Sequence, residues 1–163
     1  LMDETKPRWF LLENVRMKEE SQDIISRYMG VQPQEINSSL VSAQNRKRLY
    51  WTNIPFTVPE DRGIMLKDII EDGLVDRDKA HCLDANYFKG GNLKSYFEKS
   101  RRQLVFSNKD YLEWRKLTPL ECERLQTVPE GYTAHVSNTQ RYKMLGNGWT
   151  VDVVAHIFKN LGA

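Results

Sequence analysis

Hydrophobic residues run together near the start of the chain and recur in helical steps near its end, and between these lies a long stretch where neither period holds. After Pro7, "WFLLENV" is a continuous apolar run, which predicts a parallel strand covered on both faces rather than an edge strand. "KEESQDIISRYMG" then sets Ile24, Ile25, Tyr28 and Met29 at helical spacing, with acids early and Gly30 as the stop. "PQEINSSLVSAQNRKRLYWTNIP" predicts a strand, a polar turn and a second strand, "RLYWTNI", ended by Pro55, so that the two lie as a hairpin or near neighbours. From Pro55 to about Tyr111 the pattern predicts irregular, loop-rich structure, with "LKDIIEDGL" as the one short helix and "FKGGN" as a turn. Order returns at "LTPLECERLQ": Thr118 is a cap, Pro119 stands at the first helical position, and Glu121 is three residues beyond the cap. "TQRYKMLGNGWTVDVVAHIFKNLGA" predicts a helix, a glycine-bracketed turn and a closing helix with Val151, Val154, Ile157, Phe158 and Leu161 on one face.

Composition narrows the class without naming it. The 163 residues are 40% hydrophobic and 28% charged, enough to bury a core in one domain or two small ones. A net charge of +2 is too slight to imply a nucleic-acid partner, so local clusters must decide. Cys82 and Cys122 have no CxxC or Cys/His spacing around them and read as reduced thiols, with no metal site. No apolar run approaches the roughly 20 residues of a membrane span, and "LMDETKPR" lacks the apolar centre of a signal peptide, so the expectation is a cytoplasmic protein with no membrane partner. The opening Leu-Met and the immediate strand read as a start inside a longer protein, or as a chain that completes another.

Four stretches carry possible chemistry. Glu13 ends its strand, and ligands of open parallel sheets bind outside the carboxyl ends of strands; an acid there is also, and more commonly, just the first solvated residue. A carboxyl backed by an apolar wall can hold or give up a proton near neutral pH. Gln44, Arg46 and Arg48 alternate, so on an extended chain all three project from one face, suited to phosphate oxygens or base edges; the alternative is a solvated charge run. Gly146, Asn147 and Gly148 precede a helix, where backbone amides can approach a small ligand's polar group, although such a triplet is more often a plain turn. Lys89, Lys94, Lys99, Arg101 and Arg102 interleave with Tyr87, Phe88, Tyr96 and Phe97, the mixture that tracks a nucleic-acid backbone while reaching for bases; a merely solvated loop is the competing reading.

Taken in order, "FLLENV", "QNRKR", "LTPLECERLQTVPEGYT" and "RYKMLGNGWTVDVV" resemble the later motifs of the DNA cytosine-5 methyltransferases, most closely those of phage and bacterial modification enzymes. The resemblance implies an α/β fold, the trailing part of a Rossmann-like methyltransferase sheet with helices, plus a small irregular target-recognition domain. It implies that Glu13 grips a flipped cytosine at its ring nitrogen and amino edge, that Arg48 contacts the cytosine carbonyl oxygen, and that Arg46 supports the active-site loop or a phosphate. Gln44 would orient the strand and lie toward DNA. Asn147, with Gly146 and Gly148, would touch S-adenosylmethionine, and Trp149 would line that pocket. The lysines and arginines of the basic cluster would face double-stranded DNA, while Glu121 and Arg124 would organise the recognition region.

On this pattern residues 1–54 supply catalytic-domain strands and a helix, 55–108 the recognition region, and 109–163 its organising helix and the return to the catalytic domain. The motifs that the family carries before "ENV" are absent: the glycine-rich turn that holds most of the methyl donor and the proline-cysteine loop that supplies the nucleophile. Neither Cys82 nor Cys122 lies in a matching motif. The chain is therefore expected to be inactive alone, to bind S-adenosylmethionine weakly or not at all outside the complete enzyme, and to pair with an amino-terminal half or with itself through the exposed sheet. A non-catalytic DNA-binding or regulatory remnant is the alternative.

Overall fold

The computed structural model describes residues 2–161. A single-turn helix, α1 (Met2–Thr5), leads to β1 (Leu11–Val15), α2 (Glu19–Met29), β2 (Gln34–Asn37) and β3 (Lys47–Thr52). The predicted hairpin is present: β2 and β3 pair antiparallel, with Gln34 opposite Tyr50 and Ile36 opposite Arg48. The strand order is β1-β3-β2, and β1 also pairs antiparallel with β3, with Glu13 opposite Tyr50. This corrects the expectation of a parallel strand: among the described residues β1 is the outer strand of its sheet, and its partner runs the other way. Leu11 and Leu12 are half-buried rather than enclosed, and Val15 is exposed.

Helices cover the two faces of this sheet. On one, the Trp51 indole N–H donates to Ser26 Oγ of α2 at 2.9 Å. The helix stops at Gly30, whose φ of 72° is left-handed and whose N–H closes on Ser26 O. Its expected apolar stripe is only half used, since Ile24 and Tyr28 face solvent while Ile25 and Met29 are half-buried. On the other face, Val153 and Ile157 of the last helix pack with Ile36, Tyr50 and Ile54.

The middle of the chain is more ordered than its pattern predicted. "LKDIIEDGL" forms only a 3-10 turn at Leu66–Asp68, whereas α3 (Leu93–Lys99), capped by Asn92, is the α-helix of the region. β4 (Leu104–Phe106) and β5 (Trp114–Lys116) make a second, two-stranded sheet. Both strands are too short to display alternation, and α3 buries only Tyr96, so neither leaves a periodic signature.

α4 (Pro119–Leu125) begins with the capping box read from the sequence: Thr118 accepts from Glu121 N–H, and Glu121 accepts from Thr118 N–H. Glu121 is wholly buried, and its carboxylate also takes two Arg115 N–H groups at 2.9 and 2.8 Å and the Glu71 N–H at 2.8 Å. It thereby ties α4 to the middle segment. α5 (Asn138–Asn147) and α6 (Val151–Phe158) close the chain. The inward face of α6 is Val153, Val154 and Ile157; Val151, Phe158 and Leu161 are exposed, contrary to the predicted face. Two bonds to the end of α4 set this rotation, from Val151 N–H to Gln126 O and from Asp152 N–H to Thr127 Oγ1. One core joins Ala43, Leu66, Leu83, Val105, Leu125 and Leu145, packing the middle segment on α4 and α5, while the sheet and α6 form a second.

Candidate base pocket and closing turn

β1 and β3 bring Glu13 and Arg48 together. The Arg48 Nε–Glu13 Oε1 distance is 2.9 Å, and the two side chains are 15% and 16% exposed, open enough for a ligand to reach and dry enough to strengthen the pair. Tyr50 lies on the same sheet face, directly opposite Glu13. Its burial, and then the Glu13 charge, push its hydroxyl well above the ordinary value, so it stays protonated. Tyr50 was missed in the sequence because an aromatic in a strand looks like core; its position two residues beyond Arg48 was the available signal.

Arg46 and Gln44 share the side of the chain from which Arg48 projects, as alternation requires, but both turn into the protein. Arg46 is buried, and its guanidinium donates to Leu83 O at 2.9 Å, Gly148 O at 2.8 Å and Gly146 O at 3.4 Å. It holds the closing turn rather than a phosphate. Gln44 has no exposed surface: its amide donates to Leu125 O and Gln126 Oε1 and accepts from Leu83 N–H, so the expected place toward DNA is corrected to a buried joint. Gln126, also missed, completes that joint by bonding Leu145 O and accepting from Thr150 Oγ1.

Cys82 is a further addition. Its thiol lies 3.3 Å from Arg46 Nη1 and 3.8 Å from Arg48 Nη2, which brings the middle segment of the chain against the Glu13–Arg48 site. Cys122 is fully buried in α4, and burial pushes its thiol well up.

At the closing turn the glycines differ from expectation. α5 continues through Gly146 and Asn147, and the Gly148 N–H is consumed by Met144 O at 2.8 Å. A Cβ on Gly146 would overlap the Asp84 carbonyl, so close packing of α5 against the backbone of Asp84 and Ala85 demands this glycine. Asn147 and Trp149 are the members of the motif that face solvent. Trp149 walls a cavity of ≈ 350 Å³ with Tyr132, Met144, Val151 and the Gly148 backbone. An exposed amide beside an aromatic-walled apolar cavity fits one flank of a nucleoside carrying a polar tail.

Lys89, Lys94, Lys99 and Arg101 are exposed, Arg101 lying 3.6 Å from Asp84. Arg102 is half-buried and donates to Gly90 O at 2.7 Å, bracing the glycine turn. Among the described residues no cluster of His, Cys, Asp and Glu could hold a metal ion, and no helix is long and apolar enough to cross a membrane.

An antiparallel three-stranded sheet covered by helices, with an acid–arginine pair on one sheet face and a glycine turn held by Arg46, is an α/β arrangement of methyltransferase type. Two solved structures share it: the S. pombe Dnmt2 methyltransferase (TM-score 0.61, 17% identity, 96% of this chain and 69% of that one) and the Entamoeba histolytica methyltransferase EhMeth (0.66, 15%, 96% and 64%). The family model for C-5 cytosine-specific DNA methylases matches residues 18–163, and the chain belongs to that family. It is 32% identical over 147 residues to the type II methyltransferase M2.ScrFI of Lactococcus lactis subsp. cremoris, an alignment covering 72% of this chain and 41% of that protein. It is 48% identical over 52 residues to the orphan methyltransferase M.SPRI of Bacillus phage SPR, covering 29% and 12%. The chain thus spans less than half the length of these relatives.

Proposed function

We propose that this chain forms the target-base side of a DNA cytosine-5 methyltransferase centre, in which a methyl group passes from S-adenosylmethionine to C5 of a cytosine turned out of the duplex. The observation that carries this reading is the half-buried Glu13–Arg48 pair on adjacent strands. A cytosine offers a carbonyl oxygen, a ring nitrogen and an amino group along one edge, and a guanidinium beside a carboxyl matches that sequence of acceptors and donors. Arg48 donates to the carbonyl oxygen; Glu13 accepts from the amino group and, when protonated, donates to the ring nitrogen, drawing electron density from the ring so that it accepts a nucleophile. Tyr50, neutral behind Glu13, keeps a second negative charge out of the pocket.

The methyl donor supplies an electrophilic methyl group. Asn147 and Trp149 would contact it, while Arg46, Gln44 and Gln126 hold the turn that presents them. Residues 55–108 read the DNA, with Lys89, Lys94, Lys99 and Arg101 toward its backbone. On the resemblance, the nucleophile would be a thiolate of the proline-cysteine motif, outside these residues: Cys122 is buried inside α4, and Cys82, in "AHCLDAN", lies in no such motif. The outer strand β1 offers the edge on which an amino-terminal half, or a second copy, would add.

The test is transfer of a labelled methyl group from S-adenosylmethionine to mixed-sequence duplex DNA, by the chain alone and after mixing with an amino-terminal segment bearing the glycine-rich and proline-cysteine motifs. Activity only on mixing, lost in Glu13→Gln, is the expected result. Activity of the chain alone, abolished by Cys82→Ala, would overturn the assignment of the nucleophile. Silence in both arms with DNA binding intact would favour a regulatory role.

A further inference from the structure

Three lysines from distant parts of the sequence surround Phe88 and Tyr142, where α5 crosses the 3-10 turn Tyr87–Lys89. Lys143 Nζ lies 5.1 Å and Lys89 Nζ 5.8 Å from the centre of the Phe88 ring. Lys116 Nζ donates to Phe88 O at 3.2 Å and sits 4.5 Å from the centre of the Tyr142 ring. Lys89 and Lys143 are exposed, and none of the three forms an ion pair among the described residues. Cations brought together without a carboxylate repel one another, and two aromatic faces offset this only in part. An arriving anion would relieve it. The group that suits compact, flexible ammoniums is a phosphodiester oxygen, since it needs charge and no fixed fork of donors.

We propose that Lys89, Lys116 and Lys143 form a phosphate-binding patch for the sugar-phosphate backbone of duplex DNA. This rests on the DNA reading above and extends it onto α5 and β5, elements that the basic cluster of the recognition segment does not include. Gly146 packs against Asp84, so the patch lies on the same joint between α5 and the recognition segment that frames the closing turn. Contacts of this kind position the duplex and carry no sequence preference.

The measurement is anisotropy of a labelled mixed-sequence duplex titrated with the full chain over a salt series, for the wild type, Lys89→Gln, Lys143→Gln, Lys116→Met and the Lys89→Gln/Lys143→Gln double variant, with Lys18→Gln at the start of α2 as control. Each patch variant should lower the slope of log K against log salt by about 0.9, and the double variant by about twice that. The weakening should be the same factor on duplexes of different sequence. Thermal melts of each variant separate a lost contact from a lost fold. Wild-type binding with unchanged slopes in the patch variants, or an equal loss in Lys18→Gln, overturns the patch while sparing the DNA reading. Absence of wild-type binding to duplex overturns both.

Discussion

Glu13 is where a single atom matters most. In Glu13→Gln the side chain keeps an oxygen for Arg48 but can no longer ionise or hold a proton for the ring nitrogen, so methyl transfer by the complemented centre should fall by roughly a hundredfold or more, with DNA affinity nearly unchanged. Comparing single-turnover rates with equilibrium binding checks this; parallel losses in both would mean that Glu13 only shapes the fold. Arg46 behaves differently, because its partners are three carbonyls inside the protein. Arg46→Met leaves these short of donors, each lost partner costing about 1 to 3 kcal/mol. Leu83 O keeps the Cys82 thiol and Gly148 O keeps the Gln126 amide as donors, so urea unfolding should register a loss at the low end, about 3 kcal/mol, together with a weaker grip on the methyl donor. Gly146→Ala should also be destabilising, because its new methyl group would meet the Asp84 backbone rather than a yielding side chain.

Capping chemistry acts at the scale of the element, and α4 depends on it twice. Thr118→Ala removes one half of the capping box and should cost about 1 kcal/mol. Glu121→Ala removes the other half, leaves the Glu71 N–H without its acceptor and leaves Arg115 with Asp72 as its one remaining carboxylate partner, so about 2 to 3 kcal/mol should be lost in urea titrations. The capping box was legible because its signal is local: a threonine, a proline and an acid at fixed offsets. The β2–β3 hairpin and the stop of α2 at Gly30 were legible for the same reason. β1 was misread because a continuous apolar run reports two covered faces but says nothing about the direction of the neighbouring strand. α3 and β4 were lost because the strand is too short to show a period and the helix buries one side chain. In the site, the alternation of Gln44, Arg46 and Arg48 was visible, yet which of them stays open depends on Leu83, Gly146 and Gly148 arriving from distant parts of the chain.

At the scale of the whole molecule, a ring of polar groups within residues 76–103, joined to the Glu13–Arg48 site through Cys82, makes stability depend on pH. His81 contacts Arg77, Arg77 pairs with Asp76, Asp76 accepts from the Tyr96 hydroxyl, and Gln103 donates to Tyr96 Oη while accepting from His81 N–H. Burial, and then the Arg77 guanidinium, press the His81 pKa down to about 4. Burial alone would raise the Asp76 carboxyl, but hydrogen bonds from Arg77 and Tyr96 outweigh it and hold the group below its ordinary value. In the unfolded chain His81 takes up its proton near 6.5, whereas the folded protein resists until about 4. Between those values the unfolded state binds more protons, so stability falls as the solution is acidified from about 6.5 to about 4 and is insensitive to this group above neutrality. Asp76 adds a further loss at lower pH, where the folded carboxylate finally protonates. Urea midpoints measured across that range should decline for the wild type, and His81→Gln should flatten the upper part of the decline while leaving the lower part. A wild-type profile that stays level from neutrality to pH ~4 would contradict a neutral, buried His81. Because His81 immediately precedes Cys82 and Leu83, which meet Arg46 and Arg48, the same acidification should loosen the pocket wall before the sheet unfolds. DNA affinity should then begin to fall at a higher pH than global unfolding, and His81→Gln should bring the two transitions closer together.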